Sequence, residues 1–154
     1  MKTQIMERFI LELTGHQLTE QEVADFENRH ALTLPDDYRS FLIKTNGGMP
    51  LPLVLIRCPG VNVCVIKFYS LNDDYPYDLD HSCNSTDWET AYEHGYLQIA
   101  RDPGGSSILI STRGSDGGYV YFLDREETLR PPGGLVKVAE SFTGLINGLE
   151  PFGE

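Results

Sequence analysis

The sequence predicts one α+β domain, because helix signals stand towards both ends of the chain and strand signals fill its middle. The chain has 154 residues, a length that fits a single domain over 1–154. Its central runs are rich in Val and Ile and are separated by Pro and Gly, and short turns between consecutive strands favour antiparallel pairing. We therefore expect N-terminal helices, a central, twisted antiparallel β-sheet, a short inserted helix and a C-terminal helix.

The first helix is predicted over residues 3–13. Its apolar residues recur at i, i+4, i+5 and i+8, and Gly15 follows as a stop. These residues are Ile5, Phe9, Ile10 and Leu13. On this pattern one face of the helix packs against the core.

Two further helices have sharper boundaries. Thr19 and Glu22 have capping-box spacing and predict a helix whose inner stripe is Val23, Phe26 and His30. Pro35 suits the first turn of the next helix, with Asp36 and Asp37 at the positive end of the helix dipole. The core face of that helix is Tyr38, Phe41, Leu42 and Thr45. Asn46 and Gly47 supply a left-handed stop.

The strand candidates follow from residue 51. They are 53–58, 61–71, 96–100, 107–111 and 119–124. Thr86 and Glu89 again have capping-box spacing and predict the short inserted helix, ahead of Trp88, Ala91 and Tyr92. VAESFTGLINGL, residues 138–149, predicts the closing helix, with Phe142, Leu145, Ile146 and Leu149 on one face.

Five glycines in RDPGGSSILISTRGSDGGYVYFLD, residues 101–124, raise the question of a nucleotide site. A phosphate-binding P-loop needs a Lys after its glycines and then a helix. A dinucleotide fingerprint also opens a helix. Here no Lys follows, and β-branched and aromatic residues after Gly105 and Gly118 predict strands. The segment is therefore predicted to be two hairpins whose turns use glycine.

No catalytic or metal-binding set emerges from the histidines and cysteines. The four histidines form no HExxH pattern, and Ser106 and Ser107 lack a GxSxG elbow. The best zinc set, Cys58, Cys64, His81 and Cys83, lacks the usual ligand spacing. Cys83 with His81 is a poor nucleophile pair. The three cysteines favour thiols in a reducing compartment, and we expect no cofactor and no enzyme activity.

The chain has a net charge of −11 at pH 7, from 23 acidic and 12 basic residues. Such a surface repels nucleic acid, which binds basic proteins through counterion release. It attracts a basic protein partner instead, although plain solubility also explains the charge. No apolar run has the roughly 20 residues that a membrane helix needs, and the N-terminus lacks a signal-peptide pattern. A cytoplasmic location is expected.

The most unusual stretch is SLNDDYPYDLDHSCNSTDWE, residues 70–89, called here the acidic segment. A solvated surface loop is the ordinary interpretation, and a calcium loop lacks the required glycine and glutamate. The third interpretation is a protein-binding edge, because aromatic side chains anchor interfaces and carboxylates select a basic partner. Its predicted binding residues are Asp73, Asp74, Tyr75, Tyr77, Asp78 and Asp80.

Four stretches in sequence order resemble the SUKH superfamily. They are LPDDYRSFLIKTNGG (34–48), YLQIARDPGGSSILIS (96–111), GGYVYFLDRE (117–126) and VAESFTGLINGL (138–149). The superfamily contains many bacterial immunity proteins and the yeast cell-wall assembly regulator. The resemblance covers roughly residues 20–150 and implies a single SUKH-like domain.

The resemblance implies a non-enzymatic binding protein. Many members neutralise a toxin domain, often a nuclease or deaminase, by binding it, which makes a cognate toxin the expected partner here. A regulatory or scaffold role without a toxin is the alternative, and an enzyme or small-molecule binder is a more distant one. The sequence leaves the oligomeric state open.

Overall fold

A computed structural model describes residues 2–5, 8–72, 78–84, 92, 94–125 and 134–152 of the chain. Its helices are α1 (Glu20–Arg29), α2 (Asp36–Thr45), α3 (Leu79–Asn84) and α4 (Phe142–Gly148). Its strands are β1 (Lys2–Ile5), β2 (Ile10–Thr14), β3 (Met49–Leu51), β4 (Val54–Cys58), β5 (Val61–Val65), β6 (Lys67–Phe68), β7 (Tyr96–Arg101), β8 (Ser107–Ser111), β9 (Val120–Leu123), β10 (Leu135–Ala139) and β11 (Glu150–Pro151). None of these four helices has the length and apolar character needed to cross a membrane.

The strands pair antiparallel in three sheets, which confirms the α+β class. The largest sheet has the order β10-β9-β8-β7-β6, and two three-stranded sheets have the orders β1-β2-β3 and β11-β4-β5. A bridge between Gly48 and Phe68 joins the edge of β3 to β6. The sheets and the helices enclose one main core. In it the Phe41 ring meets that of Phe142 in a tilted contact, 4.7 Å between centroids, and that of Phe68 edge-on at 5.7 Å.

The predictions for α1 and α2 are confirmed by their caps and their buried faces. Thr19 and Glu22 form a reciprocal capping box at the start of α1. Pro35 is the N-cap residue of α2, one position before the first turn, and Asn46 closes this helix with a left-handed backbone at φ 50° and ψ 56°. The predicted core face of α2 is buried.

The predicted helix over 3–13 is wrong, because the chain forms β1 and β2 there. Phe9 is 5% exposed and Leu11 is fully buried, whereas Leu13 is 44% exposed. Leu11 lies between the half-buried Ile10 and Glu12, as alternation along a strand requires, and a left-handed backbone at Leu13, with φ 54°, then interrupts the alternation. β2 pairs with β1 and with β3, about forty residues away in sequence, and a helical-wheel argument contains no information on such pairing.

The closing helix is confirmed only from Phe142 onwards. Val138 and Ala139, which the prediction placed in the helix, lie in β10 and pair against β9. Ser141 caps α4, since its Oγ accepts a hydrogen bond from the Gly144 amide at 2.9 Å. Among the inserted elements the structure has α3, while the predicted capping box at Thr86 and Glu89 lies outside the described residues.

The two glycine-rich hairpins are confirmed. In the β7–β8 turn the Ser106 amide donates to Asp102 Oδ1 at 2.7 Å, and Gly105 has a φ of 90°. In the β8–β9 loop Gly118 has a φ of 91° and its amide donates to the Ser111 carbonyl at 2.9 Å. Both clusters therefore shape turns between strands.

Candidate protein-binding site

The acidic segment starts from a closed stem. Ser70 and Asp78 form a parallel bridge, and the Leu79 amide donates to the Ser70 carbonyl at 2.9 Å. The residues between the two sides of this stem include four predicted binding residues, Asp73, Asp74, Tyr75 and Tyr77. These four lie outside the described residues, so their part in binding stays a prediction.

Asn46 fixes the entrance of the segment from inside the core. Its side chain is fully buried, its Oδ1 accepts from the Leu71 amide at 2.7 Å, and its Nδ2 donates to the Leu71 carbonyl at 3.0 Å. The same Nδ2 lies 2.9 Å from the His16 carbonyl. The residue that ends α2 thus also holds the backbone just before Asp73 and Asp74.

Asp78 is half-buried and caps α3. Its Oδ1 accepts a hydrogen bond from the His81 amide at 3.0 Å, three residues on, as an N-cap side chain does. Its carbonyl accepts from the Ser82 amide at 3.2 Å. One oxygen of the Asp78 carboxylate therefore already accepts a hydrogen bond within the fold.

Asp80 is held by Arg29, the last residue of α1, and by His30, which caps that helix. The Arg29 guanidinium donates to both carboxylate oxygens, with Nη2 at 2.9 Å from each, and His30 Nε2 lies 2.6 Å from Oδ1. The His30 side chain is only 8% exposed and that of Asp80 is 26% exposed. These contacts tie the end of the acidic segment to the last turn of α1.

The first turn of α1 holds the other side of the stem. Asn72 Nδ2 donates to Glu22 Oε2 at 3.0 Å, and His16 Nε2 lies 2.8 Å from the same oxygen. Contacts with His16, Asn72 and Thr19 lower the pKa of Glu22 from 4.5 to about 2. Glu22 thus remains ionised at neutral pH and acts as an acceptor for three groups.

A third anchor lies beyond the segment at Tyr92. The Tyr92 hydroxyl donates to the His30 carbonyl at 2.6 Å, and its ring meets the His30 ring edge-on at 6.0 Å. Helix α1 is therefore the platform on which residues 72, 80 and 92 are all fixed. The outer side of this platform carries Asp25, which is exposed, and Glu20, whose side chain is 83% exposed.

The sequence profile of the SMI1 / KNR4 family (SUKH-1) matches residues 17–148. The chain belongs to this family. The matched range extends from just before α1 to the last residue of α4 and so contains every anchor of the acidic segment except His16. None of the curated proteins gives a significant match. The resemblance inferred from four sequence stretches is therefore confirmed at the level of the family.

Sequence reasoning singled out Glu22 and Asn46 of this SUKH-1 domain, but in other roles. Glu22 was recognised as part of a capping box and Asn46 as a helix stop, both of which are local features. Their contacts with Asn72 and Leu71 span 50 and 25 residues. Arg29 carried no signal that distinguishes it from an ordinary surface cation at the end of a helix. Its pairing with Asp80 depends on the packing of α3 against β7, which places Asp80 beside the end of α1.

The cysteines of the SUKH-1 domain do not gather with other ligands. Burial raises the pKa of the Cys83 thiol to about 12, so this thiol stays protonated at neutral pH. Over the described ranges, no three His, Cys, Asp or Glu side chains converge as a metal site would require.

A second polar cluster stabilises the β8–β9 hairpin. Asp116 accepts hydrogen bonds from Ser111 Oγ and from the Tyr121 hydroxyl, both at 2.6 Å. Burial raises the pKa of Asp116, but these two bonds and the nearby Arg113 lower it by more, so the net shift is downward. Arg113 Nη1 in turn donates to the Tyr96 hydroxyl at 2.7 Å. The cluster satisfies its members internally and acts as a structural clamp on the loop.

Proposed function

We propose that this SUKH-1 chain is a cytoplasmic immunity protein that binds a cognate bacterial toxin domain, such as a nuclease or deaminase, and neutralises it by direct contact. The family match over residues 17–148 carries the proposal, because it supports a protein-interaction role. SUKH domains are in general non-enzymatic. A binding protein needs no catalytic set, and none was recognised in the sequence.

The acidic segment on its α1 platform is the proposed contact surface. Asp73 and Asp74 follow directly after the Asn46-held backbone, and Tyr75 and Tyr77 come next in the chain. Fixing both sides of the stem before binding reduces the conformational entropy that the partner must remove. With a net charge of −11, the surface favours a toxin whose own cleft is basic, as the cleft of a nuclease is.

Calorimetric titration tests the proposal. The full chain is titrated with the C-terminal domain of any toxin-like protein that a neighbouring gene encodes, at low and at high salt. We expect a dissociation constant in the nanomolar range or below, weakening as salt rises because opposite charges are screened. Absence of binding heat at both salt concentrations would contradict the immunity role. The regulatory alternative, a protein-interaction domain without a toxin, would then be the better account.

A further inference from the structure

Arg29 connects the last turn of α1 to α3 through contacts with both oxygens of one carboxylate. Its Nη2 donates to the two oxygens of Asp80, at 2.9 Å each, and its Nε donates to Oδ1 at 3.1 Å. The guanidinium carbon lies 5.9 Å from the centre of the Phe26 ring, within the range of a cation–π contact. A planar guanidinium that meets both oxygens fixes the direction of a carboxylate as well as neutralising its charge.

The short helix α3 needs a contact of this kind to fix its rotation. α3 has six residues, and Leu79, Ser82 and Cys83 form its buried side. A helix of this length is not stable by itself, so its orientation comes from what it packs against. Asp80 follows Leu79 by one residue, which places it about 100° further round the helix axis, beside the buried side. The Arg29 contact therefore holds α3 at a second point, away from its apolar anchor.

The rotation of α3 sets the positions of two carboxylates in the predicted binding set. Asp80 lies on the helix itself. Asp78 is joined to the helix as its cap, since its Oδ1 accepts a hydrogen bond from the His81 amide at 3.0 Å. A rotation of α3 would move both carboxylates together. Arg29 thus controls the described end of the acidic segment although it lies 51 residues from Asp80 in the sequence.

The charge of Arg29 separates a positioning role from a purely electrostatic one. Arg29 is a cation in a chain of net charge −11, so its loss makes the chain more acidic. If net charge alone attracted a basic partner, that loss would speed association and strengthen binding. If Arg29 acts by holding α3, its loss frees carboxylates that the partner must order again, and the complex dissociates faster. The two accounts predict opposite changes in affinity.

We propose that Arg29 is a positioning residue for toxin binding, which holds α3 and its carboxylates in the orientation that the toxin contacts. The inference rests on the proposed function and requires no direct contact between Arg29 and the toxin. The side chains of Arg29 and Asp80 are 47% and 26% exposed, so breaking this partly exposed pair should loosen α3 without unfolding the domain.

Association and dissociation rates test the proposal, measured by surface plasmon resonance with the toxin domain of the calorimetric titration. Arg29→Gln should dissociate about fivefold faster than the wild type, the scale of a partly exposed ion pair, and should associate no more slowly. Arg29→Lys keeps the charge but not the planar two-oxygen contact, and should also dissociate faster. Arg57→Gln is the control. It removes a cation from β4, which lies 4.0 Å from Glu150, and should dissociate as the wild type does.

Amide hydrogen exchange of the free chain gives a second readout that needs no toxin. The His81 and Ser82 amides both donate to Asp78. They should exchange about fivefold faster in Arg29→Gln than in the wild type, because α3 opens more often. Their exchange should be unchanged in Arg57→Gln. Circular dichroism establishes that each variant is folded, and Arg29→Lys decides if Arg29→Gln is not.

Three outcomes would overturn the proposal. A folded Arg29→Gln variant that dissociates no faster than the wild type, or that binds more tightly, would leave the immunity role intact and remove the positioning role. Unchanged exchange of the α3 amides in that variant would do the same. A wild-type chain that binds no toxin domain would instead contradict the immunity role, and this inference with it.

Discussion

Asn46 shows how much one side chain can hold in this fold. It is fully buried, has a left-handed backbone and bonds to the backbone of both His16 and Leu71. The bonds to Leu71 replace water for the N–H and C=O groups of a fully buried residue. Losing a buried hydrogen bond of this kind costs more than the bond itself contributes.

Asn46→Ala is expected to lower the free energy of unfolding by about 3 kcal/mol or more, since at least two buried backbone groups lose their partner. Urea denaturation followed by circular dichroism measures this. Asn28→Ala, at an exposed position of α1, is the matched control and should change stability by no more than about 0.5 kcal/mol. Equal effects of the two substitutions would show that Asn46 does not hold the stem.

The Asp80 carboxylate is a second residue whose role is structural in the free protein. Asp80→Ala is expected to cost about 1–3 kcal/mol, because it leaves Arg29 and the nearly buried His30 without their shared acceptor. A double-mutant cycle with Arg29→Ala measures the pairwise part of that cost. A coupling energy near zero would mean that the Arg29–Asp80 pair contributes nothing to the anchoring of α3.

At the scale of the element, the turn that follows α2 requires a glycine at position 47. Gly47 has a φ of 78°, and a Cβ there would lie 2.7 Å from the Phe68 carbonyl oxygen, which belongs to a fixed strand. A Cβ added at Gly148, the last residue of α4, would have no neighbouring atom within 4 Å. The two glycines thus give opposite predictions for one substitution.

Gly47→Ala is expected to destabilise the domain by about 3 kcal/mol or more, from the left-handed backbone and the clash together. Gly148→Ala should instead stabilise it by about 0.5–1 kcal/mol, since alanine loses less backbone entropy in a helix. Thermal unfolding of the two variants beside the wild type measures both. The same sign for the two would contradict the conformational argument.

The contact between Glu22 of α1 and Asn72 of the acidic segment should weaken at low pH. The pKa of Glu22 is lowered from 4.5 to about 2 in the folded chain, so its carboxylate stabilises the fold above pH 4.5. That contribution is lost as the pH falls from 4.5 towards 2. Urea denaturation at several pH values in this window should show a decline that is smaller in Glu22→Gln than in the wild type. Glu20→Gln, whose side chain is 83% exposed, should decline as the wild type does.

At the scale of the whole molecule, several of the carboxylates behind the net charge of −11 are already engaged in ion pairs within the fold. In the acidic segment the structure shows two carboxylates that cannot be reversed without disturbing the fold. Asp78 caps α3 and Asp80 pairs with α1, so reversing either one tests folding as much as binding.

The double reversal Asp73→Lys and Asp74→Lys is expected to weaken toxin binding at least about tenfold and to reduce its salt dependence. Calorimetry at two salt concentrations measures both effects. The control reverses Glu140 and Glu150, an equal change in net charge at two carboxylates in the C-terminal part of the chain. If both doubly reversed variants bind as the wild type does, the acidic segment is not the contact surface.

The sequence by itself determined the features that rest on neighbouring residues. The capping box of α1, the left-handed end of α2 and the glycine turns of the two hairpins all depend on contacts within a few positions. Each was therefore readable before any fold was known. The order of four such motifs sufficed to indicate the family, and composition alone gave the acidity of the surface.

Only the tertiary structure decided the features that rest on distant residues. Residues 10–14 are a strand because β3 pairs with them, although their spacing also fits a helix. Asp80 became an anchor because α3 lies beside the end of α1, and the last described strand, β11, returns to pair with β4. In each case the deciding interaction joins residues about forty or more positions apart. Local propensity and spacing hold no information on which of these distant partners the chain will bring together.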